Sequence, residues 1–224
     1  VTVSGKLHGS VAALVIFASA TPAIPCGFED PSSVTMQRGA LNFVYPKSLW
    51  VSTAVWQAQL AGIIPQQRSF SGDQAAVGLR LAQVQMRRLG RLTDEAAGAG
   101  PVPRFTVVLL GPMLWTTYDD TGGTVKACVH ASGPKPGDVV MVTDQAVVAA
   151  LLAGSLGVRD ANGLGLIRYY GDDDDILQLV QVLDDLKPLP GGSAINLADG
   201  GGESPKPVAK VARIDNADRD PAKC

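Results

Sequence analysis

The apolar residues of this chain change period once, and that change limits the architectures open to it. From Pro46 to Leu92 they recur at helical spacing. From Arg104 onward they come in short runs rich in β-branched and aromatic residues, separated by turn signals. A helical stretch followed by strands interleaved with helices predicts an α+β domain. Its 46% apolar content is enough for a core.

The helical part reads as two helices. One opens at Pro46, which suits a first helical turn because its missing N–H would be unpaired there. Leu49, Trp56, Leu60 and Ile63 fall on one side of it, and Gly62 and Pro65 end it. The second runs from Asp73 to Leu92, with Ser71 or Asp73 as cap and Val77, Leu81, Val84 and Leu89 on one face. Its Arg80, Arg87, Arg88 and Arg91 read as a solvated face rather than a phosphate site. Upstream, Pro25, Gly27, Pro31 and Gly39 break any period, so residues 24–43 are expected to be an irregular lead-in.

The strand part is punctuated clearly. Arg104 to Leu110, Met113 to Tyr118, Thr124 to His130 and Val139 to Val142 are expected strands, with turns at Asp119 to Gly123 and Ser132 to Asp138. Thr143 or Asp144 caps a helix carried by Val147, Val148, Leu151 and Leu152, and Gly154 closes it. A short helical turn at Arg159 to Gly163, a strand at Leu166 to Gly171 and a helix carried by Ile176 to Leu186 complete a domain over residues 44–186. The expected sheet is antiparallel, of about five strands, with helices on one face and an N-terminal helical extension. From residue 187 the Pro and Gly content and the lack of aromatics predict a disordered tail to residue 224.

The first 23 residues read as an export signal. Lys6 supplies the positive start, Val11 to Ala20 the apolar core, and Ala18, Ala20 and Ala23 the small residues of a cleavage site. The mature protein is then expected to be periplasmic or secreted. Pro25 makes a lipid anchor on Cys26 a poor fit. A net charge of −2 gives no electrostatic reason to expect nucleic acid. No apolar run approaches the ~20 residues of a membrane span.

The segment VVMVTDQAVVAALLAGSLGVRDANGLGLIRYYGDDDDILQLVQVL, with the strands before it from Arg104, resembles the sterol carrier protein family. The matching features are a strand running into a Thr-Asp helix cap, a turn at Gly154 and Leu156, a connector at Ala161 and Gly165, and a strand closed by Gly171. The resemblance spans residues 104–186. It implies a lipid held in an apolar tunnel. The chain departs from the family in its export signal, its N-terminal helices and its C-terminal Pro-Ala-Lys-Cys.

Chemistry is sparse. His8 and His130 are the two histidines, and no nucleophile–base motif accompanies them, so no enzyme activity and no cofactor is expected. Cys128 and His130, two apart on an expected strand, would face the same way and could give two ligands to copper or zinc. A metal site is not the favoured reading, because exported cysteines more often pair. Cys26 with Cys128 is the expected disulfide, with Cys224 left over or pairing between chains. Asp172 to Asp175 lack calcium-loop spacing and read as charge at a helix N-terminus. Trp50, Trp56, Trp115, Tyr169 and Tyr170 are the candidate ligand-binding residues, since such rings offer apolar area with a polar edge. The function these features favour is non-catalytic binding of a hydrophobic small molecule or lipid between sheet and helices. The alternatives are an envelope interaction protein without a small ligand, and a metal or redox accessory using Cys128 and His130.

Overall fold

A computed structural model describes Asp30, residues 32–66, 74–98 and 100–187. Residues 1–23 of the expected export signal, His8, Cys26, Cys224 and the expected tail from 188 lie outside the described residues. Among the described residues six helices and five strands follow in the order α1 (Val34–Val44), α2 (Ser48–Leu60), α3 (Ala75–Ala97), β1 (Phe105–Leu109), β2 (Leu114–Asp120), β3 (Val125–Val129), β4 (Val139–Thr143), α4 (Gln145–Ala153), α5 (Val158–Gly163), β5 (Arg168–Tyr170) and α6 (Asp173–Asp184).

The sheet order is β3-β2-β1-β4-β5. It is mixed, not antiparallel as expected: β1 and β4 run parallel, with Phe105 opposite Val139 and Leu109 opposite Thr143. The other three pairs are antiparallel. The reason lies in the connection after β3. That segment returns along the sheet before β4 begins, so β4 starts at the same end as β1.

Pairing and alternation assign the two faces. Phe105, Val107, Tyr118, Met141 and Tyr169 share one face; Thr106, Val108, Trp115, Val140, Arg168 and Tyr170 share the other. α3 lies on the first face. There the Tyr118 hydroxyl donates to the Met86 carbonyl at 2.9 Å, and the Tyr118 ring stacks on Phe105 at 4.4 Å between centroids. Gly90 makes the close approach possible: a Cβ there would lie 3.1 Å from the Tyr118 ring. α4 and α6 pack against α3.

The N-terminal helices lie against the opposite face. Tyr45, in the link between α1 and α2, sits 6.5 Å from Trp115 and 5.1 Å from Tyr170. Arg38 on α1 donates from Nε to the Leu110 carbonyl at 2.8 Å and from Nη2 to that of Gly111 at 2.6 Å. α1 therefore occupies part of the stretch expected to be irregular. Gly39 is exposed with open space around it, so it weakens the helix without disturbing the inward residues Val34 and Leu41. Pro46 does not start α2. Lys47 adopts a left-handed conformation (φ 70°), breaks the chain direction, and the helix opens at Ser48.

The inward face of α2 is also not the expected one. Val51, Val55 and Ala58 are buried, whereas Trp56, Leu60 and Ile63 are exposed. Both sides of α2 are apolar and it carries no charge, so its sequence holds no polar face by which to choose the buried side.

The later helices follow their caps. Asp144 caps α4, accepting from the Ala146 amide at 3.1 Å, and Gly154 closes it in the left-handed conformation. Asp172 caps α6, accepting from Asp174 N at 3.0 Å and Asp175 N at 3.4 Å. The acidic run is thus used at a helix N-terminus.

Candidate functional site

A depression of about 340 Å³ opens on the sheet face that carries the N-terminal helices. Tyr45 and Tyr170 form one wall, Val140 contributes from β4, and the segment from Pro134 to Asp138 forms the other side.

Each wall is built by a local constraint. Tyr170 ends β5 and donates from its hydroxyl to the Pro46 carbonyl at 2.8 Å. That bond ties the sheet edge to the α1–α2 link. Gly171 follows at φ 147°, a conformation that L side chains rarely adopt. A Cβ there would meet Val139 Cα at 3.2 Å. Only glycine lets β5 end so close to β4.

The opposite side is organised by Asp138, which is buried. Its carboxylate accepts from Arg104 Nε, from the Thr106 hydroxyl at 2.7 Å and from the Lys135 amide at 2.8 Å. Arg104 also donates to the Pro136 carbonyl at 2.7 Å. A buried carboxylate needs such partners to offset its lost hydration. The network fixes the return segment against the sheet. It also holds the Arg104 guanidinium above its ordinary pKa, through the Asp138 hydrogen bond first and its charge second. Burial raises the Tyr45 phenol, and the charge of Asp138 adds to that. Burial likewise raises Tyr170, against the opposing charge of Arg168.

The five aromatic residues singled out from sequence do not converge. Trp115 and Tyr170 each contact Tyr45. Tyr169 is adjacent to Tyr170 on β5 and therefore points to the other face. Burial pushes its phenol well above the ordinary range, with the charge of Asp184 second. Its hydroxyl is buried without a hydrogen-bond partner. Trp50 and Trp56 face solvent on α2, at 63% and 59% exposure. Tyr45, Lys135 and Asp138 were not singled out. Tyr45 is a lone aromatic beside a proline, and Asp138 looks like part of a turn. Their roles depend on contacts with residues distant in sequence.

The cysteine and metal expectations also change. Cys128 is the one cysteine among the described residues, so no disulfide joins two of them. The Cys26–Cys128 disulfide is accordingly corrected out of the interactions that hold the described fold. β3 ends at Val129, and His130 follows at φ 72°. That left-handed residue breaks the alternation expected to align Cys128 with His130. Among the described residues no group of three or more His, Cys, Asp or Glu side chains could hold a metal ion. Among them, too, no helix is long and apolar enough to cross a membrane.

No family model matches the chain. No curated protein matches it. Among solved structures, the chain is similar to a conserved hypothetical protein from Thermus thermophilus for which a sterol carrier identity is suggested. The identity is 18% and the TM-score 0.33, over 57% of this chain and 95% of the other.

Proposed function

We propose that this protein binds a compact amphipathic small molecule, without catalysis, in the depression between Tyr45, Tyr170 and the Asp138 segment. The observation that carries this reading is the composition of that depression. Two aromatic rings, Val140 and two prolines supply apolar contact, Lys135 is the exposed charged residue of the lining, and the buried, paired Asp138 carboxylate holds the segment in place. Ligand sites commonly combine a mostly apolar lining with a few placed polar groups. At about 340 Å³ the depression is near the small end of their size range. That favours a ring-bearing or short-chain ligand over a long acyl chain. No nucleophile–base pair occurs among its lining residues.

With an exported chain, the ligand would be met in the periplasm or outside the cell. A fluorescence titration with 1-anilinonaphthalene-8-sulfonate, an aromatic amphiphile, tests the site. Saturable binding that weakens about tenfold in Tyr170→Ala supports it. Binding unchanged by Tyr170→Ala but abolished by Trp56→Glu would move the binding to the outer side of α2.

One observation favours a second reading. α1 and α2 lie over one face of the sheet, and α2 buries Val51 and Val55 there. A protein whose groove is filled by its own N-terminal helices would act as an envelope interaction or assembly protein. Uptake of no small molecule, together with capture of a protein partner, would favour that reading.

A further inference from the structure

The outward side of the N-terminal helices is apolar although it faces solvent. α2 turns Trp50, Trp56 and Leu60 outward, and Ile63 follows in the turn after it. α1 exposes Met36, Phe43 and Val44. These seven side chains range from 45% to 88% exposed. A helix that is apolar all round is ordinarily buried all round.

The charge pattern is as unusual as the apolarity. The chain has 21 acidic residues, and none falls between residues 31 and 72. The described cations of that stretch are Arg38 and Lys47. Arg38 is engaged by the carbonyls of Leu110 and Gly111. Lys47 Nζ lies 5.7 Å from the centre of the Trp50 ring. Between the outward apolar residues of α2 stand Ser52, Thr53 and Gln57, exposed and uncharged.

We infer that this face docks a second copy of the same chain. In a two-fold interface each patch meets its own likeness, so any strong charge would face a like charge. Hydroxyl and amide groups both donate and accept, so they can pair with copies of themselves. Aromatic and Met enrichment with few charges is also the composition of interface cores. A lipid surface fits less well, because interfacial helices set Lys and Arg rows beside their apolar stripe. Area supports a stable pair. Three exposed aromatic rings, at roughly 150–250 Å² for a whole side chain, supply much of it. Met36, Val44, Leu60 and Ile63, each 45% or more exposed, add to it, where a standard interface takes roughly 800 Å² per partner.

The test is sedimentation of the full chain across about a hundredfold dilution. Wild type should run as a dimer at the high end. Trp56→Glu should raise the dissociation constant at least tenfold, with an unchanged circular dichroism spectrum. Leu60→Gln is the milder second variant, and should weaken the dimer while keeping the fold. A chain that is monomeric throughout would overturn the inference. So would a dimer that both variants leave intact, or one that survives denaturing gel electrophoresis without reductant and is therefore thiol-linked. A monomer that floats with anionic phosphatidylglycerol vesicles through Trp56 would assign the face to lipid and overturn it as well.

Discussion

The ring of Tyr45 stands 5.1 Å from that of Tyr170, tilted by 57°. The two residues are 125 positions apart in the chain. Their contact makes the link between α1 and α2 one wall of the depression on the sheet. Whatever holds that contact also shapes the site.

Tyr170 should therefore separate two effects. Tyr170→Phe keeps the ring and removes the hydroxyl that donates to Pro46. It should cost about 1 kcal/mol of stability, the net worth of one hydrogen bond, and leave ligand affinity within a few fold. Tyr170→Ala should lose ring contacts as well and weaken binding about tenfold. Urea unfolding and titration on the same samples measure both.

Asp138 should be the most sensitive polar residue on that face. It is buried, and its carboxylate is shared by Arg104, Thr106 and the Lys135 amide. Asp138→Ala should destabilise the fold by about 3 kcal/mol, because it leaves those donors unmatched. The urea midpoint should fall with little change in slope. A loss under about 0.5 kcal/mol would show that water replaces the carboxylate there.

Tyr118 should limit stability in alkali. Burial holds its phenol well above 10.0 in the folded chain. The unfolded phenol releases its proton near pH 10. Above that pH the unfolded state binds fewer protons, so stability falls as pH rises. Tyr118→Phe removes this contribution to the slope. Its cost near neutral pH should be about 1 kcal/mol, from the lost bond to Met86. Unfolding followed from pH 8 to 11 would reveal the flatter slope.

Near neutral pH, removing the Tyr169 hydroxyl should have the opposite effect on stability to removing that of Tyr118. Its hydroxyl is buried with no hydrogen-bond partner. Tyr169→Phe removes the unsatisfied group and should stabilise the fold by up to about 1 kcal/mol. A loss larger than that, read from the same urea midpoint, would mean that the hydroxyl has a partner in solution.

Much of the secondary structure was legible along the chain because its signals are local. Asp144 and Gly154 bound α4 as a cap and a stop should. The turn residues before Val139 bracket a strand with a β-branched interior, whereas Asp119 and Asp120, expected in a turn, extend β2. What stayed hidden depended on distant partners. The parallel pairing of Phe105 with Val139 leaves no mark on either strand alone. The inward side of α2 was misread because Trp56 and Leu60 are as apolar as Val51 and Val55. α1 was hidden by Gly39 and by neighbouring breakers. Of the candidate site, Tyr170 was legible as an amphipathic ring. Tyr45 and Asp138 were not, since one looks like a helix-preceding aromatic and the other like a turn residue.

The most direct measurement is native mass spectrometry of the full chain after incubation with a total lipid and small-molecule extract. Wild type and Tyr170→Phe should each retain one non-covalent adduct, of a mass suited to a site of about 340 Å³. Tyr170→Ala should lose it. Wild type at its bare mass in every extract, with the fold intact, would contradict small-molecule binding at Tyr45 and Tyr170.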